Sequence, residues 1–252
     1  MPNKSLEGRV AVISGASRGL GKAMALELGA AGAALALVGR DRAKLDETAS
    51  EAAALGAEAA VFVADLSQEA QVLALQRNAA ERFDRVDILI NNAGVNLRKP
   101  LTEFTLEEWN RVMDANLTSV FLMCRSFIPM MRGRGWGRIV NMTSIMSHVS
   151  LPGRTAYSAS KAALLGFTRA LAQELAPEGI TVVGISPGPF ATDLNTALIN
   201  DAELNRQFLT KIPVGRWGRP EEIGKLARFL CSDDAGFITG TDVLIDGGWT
   251  AQ

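Results

Sequence analysis

The sequence predicts an α/β fold: one domain built on a doubly wound, mostly parallel seven-stranded sheet with helices on both faces. Three observations predict it. Short β-branched runs alternate with helical segments along nearly the whole chain, which is the pattern of successive β-α-β units. Those runs are continuously apolar, as strands covered on both faces must be. The chain has 252 residues, 48% of them apolar, enough for one substantial core. No linker, repeat or low-complexity tract interrupts it, so residues 1–252 read as a single unit.

The elements follow in order. Residues 9–14 form the first strand, and Gly15-Ala16-Ser17-Arg18-Gly19-Leu20-Gly21 follows it directly. A helix over 22–31 comes next, with Met24, Leu26 and Leu28 among alanines. Strands at 34–38, 59–64 and 87–90 alternate with helices at 42–55 and 68–83. The fourth strand runs into Asn91-Asn92-Ala93-Gly94. A long helix over 106–132 contains Asn116, and a fifth strand spans 138–142. A helix at 156–176 and a strand at 180–185 follow, then an irregular stretch at 186–220. A helix at 221–231 and a strand at 242–245 close the pattern.

Composition excludes several functions. The net charge is −1, which offers nothing to a polyanion or an anionic membrane. The cluster Arg132, Arg134, Trp136 and Arg138 reads as a solvated turn rather than a nucleic-acid contact. Cys124 and Cys231 lie in apolar helical patterns and read as small core residues in a reducing compartment. The first residues lack the apolar core of a signal peptide, and no apolar run reaches the ~18 residues needed to span a bilayer. A soluble, cytoplasmic chain is expected, with no metal.

Two stretches carry chemistry. The glycine turn lies between a strand and a helix, where main-chain N–H groups can approach a pyrophosphate with the positive helix end behind them. Its spacing is G-x-x-x-G-x-G. The second stretch runs from Ser144 to Lys161. Tyr157, the chain's one tyrosine, stands four residues before Lys161, so phenol and ammonium share a helix face. Ser144 follows the fifth strand and can be brought to the same point. An acid, a cation and a neutral donor meeting there can handle a carbonyl oxygen. In parallel sheets of this kind ligands bind beyond the carboxyl ends of the strands, and every one of these motifs falls there.

Together the motifs resemble the short-chain dehydrogenase/reductase family, in its single-domain branch. The resemblance rests on Ser14-Gly15-x-x-x-Gly19-x-Gly21, Asp65, Asn91-Asn92-Ala93-Gly94, Asn116, Ser144, Tyr157-x-x-x-Lys161, Ser186-Pro187-Gly188 and Thr192. Within the family it is similar to ketoacyl-carrier-protein reductases and to gluconate-type sugar-acid dehydrogenases. It implies a Rossmann fold and hydride transfer between a nicotinamide dinucleotide and a small carbonyl or alcohol substrate. Tyr157 would be the acid or base, Ser144 would hold the substrate oxygen, and Lys161 would lower the phenol's pKa and hold the ribose. Asn116 would kink its helix around a water in a proton relay.

For the cofactor, the resemblance implies contacts from Gly15, Ser17, Arg18, Gly19, Leu20 and Gly21. Asp65 and Leu66 would border the adenine, and Asn92, Ala93 and Gly94 its ribose. Pro187, Gly188 and Thr192 would face the nicotinamide. Gly39 stands where the family's NAD-selecting acid commonly lies, with Arg40 next to it and Arg18 in the glycine turn. Two guanidiniums suit a 2′-phosphate, so NADP(H) is expected over NAD(H), which stays possible. Asp41 could pair with Arg40 or accept a ribose hydroxyl. Met146, His148, Val149, Arg154 and Phe190 are candidates for the substrate pocket. Arg154 at its mouth would suit an acidic substrate. Residues 190–213, with Leu194, Leu198, Ile199, Phe208 and Leu209, read as a lid of short helices. The alternatives are a sugar-acid dehydrogenase and a catalytically silent dinucleotide sensor. The expected partner is a second copy of the chain, in a homotetramer paired through helices 106–132 and 156–176 and through residues 247–252.

Overall fold

The computed structural model describes residues 4–251, apart from the side chains of Leu194 and Ala197. Leu194 as a lid residue and Gln252 as an interface residue therefore lie outside the described residues. Seven strands form one sheet in the order β3-β2-β1-β4-β5-β6-β7. They are β1 (Val10–Ser14), β2 (Ala34–Gly39), β3 (Ala59–Val63), β4 (Ile88–Asn91), β5 (Gly137–Met142), β6 (Ile180–Pro187) and β7 (Asp242–Ile245). Every pairing is parallel, so the sheet is more uniform than expected. Chain order reverses between β1 and β4, which opens a crevice at their carboxyl ends.

Strand side chains alternate between the two faces. Ile13, Ile88 and Ile90 face one core, while Val12 and Leu89 face the other. The first core is closed by α1 (Gly19–Ala30), α2 (Arg42–Ala54) and α9 (Pro220–Leu230), through Met24, Leu28, Leu45, Ile223 and Leu230. The second is closed by α3 (Glu69–Phe83), α5 (Ser119–Met131) and α6 (Thr155–Leu175), through Leu75, Met123, Phe127 and Leu164. Phe127 is fully buried, and its truncation to alanine would cost about 3–5 kcal/mol.

Three findings bear on the sequence expectation. The helix read over 106–132 is broken: α4 (Leu106–Met113) and α5 flank a π-helical turn at Asp114–Thr118 that contains Asn116. The irregular stretch contains α7 (Thr196–Asn200) and α8 (Ala202–Leu209). Arg138 does not belong to a solvated turn. Its side chain is only 4% exposed, donates to the Ser232 carbonyl, and lies over the Trp136 ring at 4.3 Å. An arginine at the start of a buried strand is kept inside by an aromatic face and a carbonyl. Arg132 and Arg134 are exposed.

Burial pushes the thiols of Cys124 and Cys231 up to about 12, so neither supplies a thiolate near neutral pH. Among the described residues no helix is long and apolar enough to cross a membrane.

Candidate active site

The crevice opens into a cavity of about 1450 Å³ lined from the glycine turn to Tyr157 and Trp249. The turn is held from beneath. The Asn92 side-chain amide donates to the carbonyls of Ser14 and Gly15 at 3.0 and 3.2 Å. The main-chain N–H groups of Asn92 and Ala93 donate to the Ser14 hydroxyl at 2.8 and 3.0 Å. The end of β4 thus clamps the end of β1. Two glycines are required by this closeness. A Cβ on Gly21 would stand 2.1 Å from the Gly15 carbonyl oxygen, and one on Gly15 would stand 2.7 Å from the Asn92 amide. No acidic side chain occupies the first turn of α1, and Arg18 provides no side-chain cap. Its leading N–H groups are therefore turned to whatever anion fills the cradle. Across the crevice a Cβ on Gly19 would lie 3.7 Å from the Thr192 methyl, so the post-β6 segment forms the opposite wall.

Every dinucleotide contact expected from the sequence lines this cavity, including Ser17, Arg18, Leu20, Arg40, Asp65, Leu66, Gly94, Pro187, Gly188 and Thr192. Asn92 has a role beyond lining, because its side chain is committed to the glycine turn. Asp41 caps α2 by accepting from the Lys44 N–H at 3.2 Å. The Ser67 hydroxyl holds the Asp65 carboxyl below its ordinary range against the opposing effect of burial, with the Arg40 charge assisting.

The second wall carries Ser144, Tyr157 and Lys161. Ser144 heads a short 3₁₀ turn at Ile145–Ser147, and its hydroxyl accepts from the Met146 N–H at 3.1 Å. It also stands near enough to the Tyr157 phenol to oppose the rise in that group's pKa. Lys161 donates to the Met142 carbonyl at 2.5 Å, and its Nζ lies 5.9 Å from the Tyr157 ring centre. Burial lowers the Lys161 ammonium to about 8. The phenol behaves differently from expectation. Desolvation raises its pKa, opposed by the Ser144 hydroxyl and by the charges of Arg154 and Arg98.

Asn116 lies beneath this wall, fully buried. Its Oδ1 accepts from the Val95 N–H at 2.7 Å, while its amide donates to the Val95 carbonyl at 2.9 Å and the Ser160 hydroxyl at 3.0 Å. Ser160 in turn donates to the Tyr157 carbonyl at 2.7 Å. A Cβ on Gly94 would lie 3.0 Å from Asn116 Oδ1 and 3.7 Å from Lys161 Nζ. The loop after β4, the π turn and α6 are therefore locked together behind Tyr157.

Met146, Arg154 and Phe190 line the cavity as expected. His148 does not. Its Nε2 lies 2.8 Å from the Asp242 carboxylate and 3.3 Å from the Ser186 hydroxyl, because the 3₁₀ turn swings it back toward β7. Val149 is exposed outside the lining. Arg98 escaped the sequence reading. It sits in a loop without periodicity, where only its charge could have signalled it. Trp217 and Trp249 escaped too. Trp217 stacks on Phe208 at 4.7 Å and Trp249 tilts against it at 5.1 Å, so the three rings close one end of the cavity.

Comparison with known proteins agrees with this architecture. The family model described as enoyl-(acyl carrier protein) reductase matches residues 15–250. A 3-oxoacyl-[acyl-carrier-protein] reductase from Synechocystis is 39% identical over 246 residues, covering 97% of this chain and 98% of its own. A putative 2-deoxy-D-gluconate 3-dehydrogenase from Agrobacterium tumefaciens, solved with bound NADP, superposes with a TM-score of 0.91 at 37% identity, covering 100% of both chains. A variant of a Serratia marcescens short-chain dehydrogenase/reductase superposes at 0.92 with 34% identity, covering 98% of this chain and 99% of its own. A cradle for a dinucleotide, a phenol and ammonium on the facing wall, and relatives matched end to end lead to one assignment: the chain belongs to the short-chain dehydrogenase/reductase family.

Proposed function

We propose that this protein is an oxidoreductase that moves a hydride between a nicotinamide dinucleotide and a small carbonyl or secondary-alcohol substrate. The observation that carries the reading is that Ser144, Tyr157 and Lys161 line the same cavity as the glycine turn. The dinucleotide supplies the hydride chemistry when bound. Gly15, Gly19, Gly21, Ala93 and Thr192 would hold it, in a cradle where added Cβ atoms would intrude at Gly15 and Gly21.

The residues divide the remaining work. Ser144 donates to the substrate oxygen and steadies the charge that develops there. Tyr157 gives its proton to that oxygen in reduction and takes one back in oxidation. Its raised pKa keeps the phenol protonated, which suits the acid role. Lys161 places a cation on the same helix face and favours the phenolate once the proton has left. Asn116 commits both amide hydrogens to Val95 and Ser160, so a relay water at the π turn would be held by carbonyl oxygen.

Preference for NADP(H) is supported by Arg18 and Arg40 on the cavity wall, by the absence of a side chain at Gly39, and by NADP in one relative. Residues 190–213 act as a lid, with Leu198 and Phe208 on its inner side. The working form is a homotetramer, to be checked by sedimentation. An NADPH-consumption screen over ketones, oxo acids and β-ketoacyl thioesters tests the activity. Turnover with some of them is expected, and cofactor binding with no turnover of any would remove the proposal in favour of a silent sensor.

A further inference from the structure

We infer that Arg98 and Arg154 form an anion clamp at the substrate end of the cavity, and that the preferred substrate is an oxo acid or hydroxy acid whose carboxylate lies within a few bonds of the reacting carbon. The inference rests on the oxidoreductase reading above and deepens it.

The two arginines come from separate elements. Arg98 lies on the loop after β4, and Arg154 immediately precedes α6, yet both line the cavity together with Tyr157. Both charges act on the Tyr157 phenol, so both stand within electrostatic reach of the reacting position. They also act on each other. Burial is the largest influence lowering the Arg154 guanidinium, and the like charge of Arg98 adds to it. Arg154 is half-buried and Arg98 exposed, and the repulsion between the two like charges is relieved when an anion joins them.

No carboxylate among the described residues fills that place. Among the described residues neither arginine takes part in an ion pair, and the one group that raises Arg154 is the Tyr157 phenol. The first turn of α6 carries no acid. Glu107 on α4, Asp114 in the π turn and Asp193 after β6 do line the cavity, but none of them acts on Arg154. Guanidinium forks match a carboxylate with paired hydrogen bonds, and two of them exceed what one surface lysine would offer. A phosphate presents the same chemistry. In a thioester carried on phosphopantetheine, however, the phosphate is many bonds from the ketone, whereas both cations stand close to Tyr157. A carboxylate on the substrate's own short chain fits that closeness.

The test uses protein saturated with NADP⁺, which cannot reduce a ketone, and measures binding by titration calorimetry. Acetoacetate and its neutral ethyl ester share one ketone and differ in one charge. Acetoacetate should bind at least about tenfold tighter, ~1.4 kcal/mol. Arg98→Gln and Arg154→Gln should each shrink that ratio roughly fivefold or more, and Arg154→Lys should restore part of it. Equal affinity for acid and ester, binding of neither, or a ratio unchanged in both glutamine variants would overturn the clamp. A second pair, S-acetoacetyl phosphopantetheine and S-acetoacetyl pantetheine, separates the anion sources. Discrimination in that pair alone overturns the carboxylate assignment. Failure of the parent reading is distinct: NADPH consumption with no carbonyl compound while acid selectivity in binding persists would leave a clamp without a reductase. Turnover of neutral ketones with no acid selectivity would leave a reductase without a clamp.

Discussion

Lys161 donates to the main-chain carbonyl of Met142, 2.5 Å away at the end of β5. Its charge is therefore buried against a neutral dipole with no carboxylate beside it, and burial depresses its pKa from 10.5 to about 8. Between those values the folded chain has released a proton that the unfolded chain still holds. Stability then rises with pH, by up to ~1.4 kcal/mol per unit. In cofactor-free protein, urea unfolding at pH 7.5 and 9.5 should show wild type gaining about 2 kcal/mol relative to Lys161→Met. Equal pH dependence in the two proteins would contradict the buried cation. The raised phenol of Tyr157 acts with the opposite sign, above pH 10, outside this window.

Tyr157→Phe keeps the ring and removes the proton. Turnover should fall by on the order of 10²–10⁴, the usual worth of a positioned acid. Binding of NADPH, followed by its fluorescence, should persist, because the glycine cradle is untouched. Near-normal turnover would transfer the acid role elsewhere.

Gly39 decides between the dinucleotides in the proposed reading. Its φ is not in the left-handed region, and the nearest atoms a Cβ there would meet belong to Leu45, from 3.4 Å outward. An aspartate is sterically admissible. Gly39→Asp should lower kcat/KM for NADPH by on the order of 10²-fold, since like charges placed together cost several kcal/mol. NADH should become the better cofactor. Paired steady-state measurements with both cofactors check this.

Asn116→Ala should be costly despite its distance from solvent. It would leave the Val95 N–H and carbonyl without partners, at about 1–3 kcal/mol for each buried group. A drop of roughly 2–4 kcal/mol in unfolding free energy is expected, together with reduced turnover as α6 loses its anchor through Ser160. An unchanged urea midpoint would show that the loop after β4 is held by other means.

His148→Ala should weaken the fold without touching substrate affinity. The imidazole holds Asp242, whose carboxylate also accepts from the Thr143 hydroxyl at 2.5 Å. Losing that partner should cost about 1–3 kcal/mol. KM for any turned-over ketone should stay within about twofold, because the side chain faces β7. A large rise in KM would return His148 to the pocket.

The sheet, the glycine turn and the Tyr157–Lys161 pair were legible because each is a periodic or short-range pattern. Strand alternation separates Val12 from Ile13, and a four-residue spacing sets phenol over ammonium. What escaped depends on contacts made far along the chain. His148 reads as a pocket residue until Asp242, on the last strand, is seen to hold it. Arg98 reads as an ordinary loop charge until Arg154 is brought beside it. Arg138 looks solvated until Trp136 and the Ser232 carbonyl close over it. The expected kink at Asn116 was right in place, but its side-chain bonds to Val95 join segments with no local pattern to reveal them.

The π turn at Asp114–Thr118 carries a lesson for redesign. Wide turns of this type accommodate one surplus residue, and trimming a single position would let the helix run straight. Everything from Ser119 onward would then swivel by roughly 100° about its axis. Met123 and Phe127 would leave the sheet and point outward. The local irregularity keeps two helical halves in phase with different neighbours, so idealising this helix would dismantle the hydrophobic layer on which the reacting wall rests.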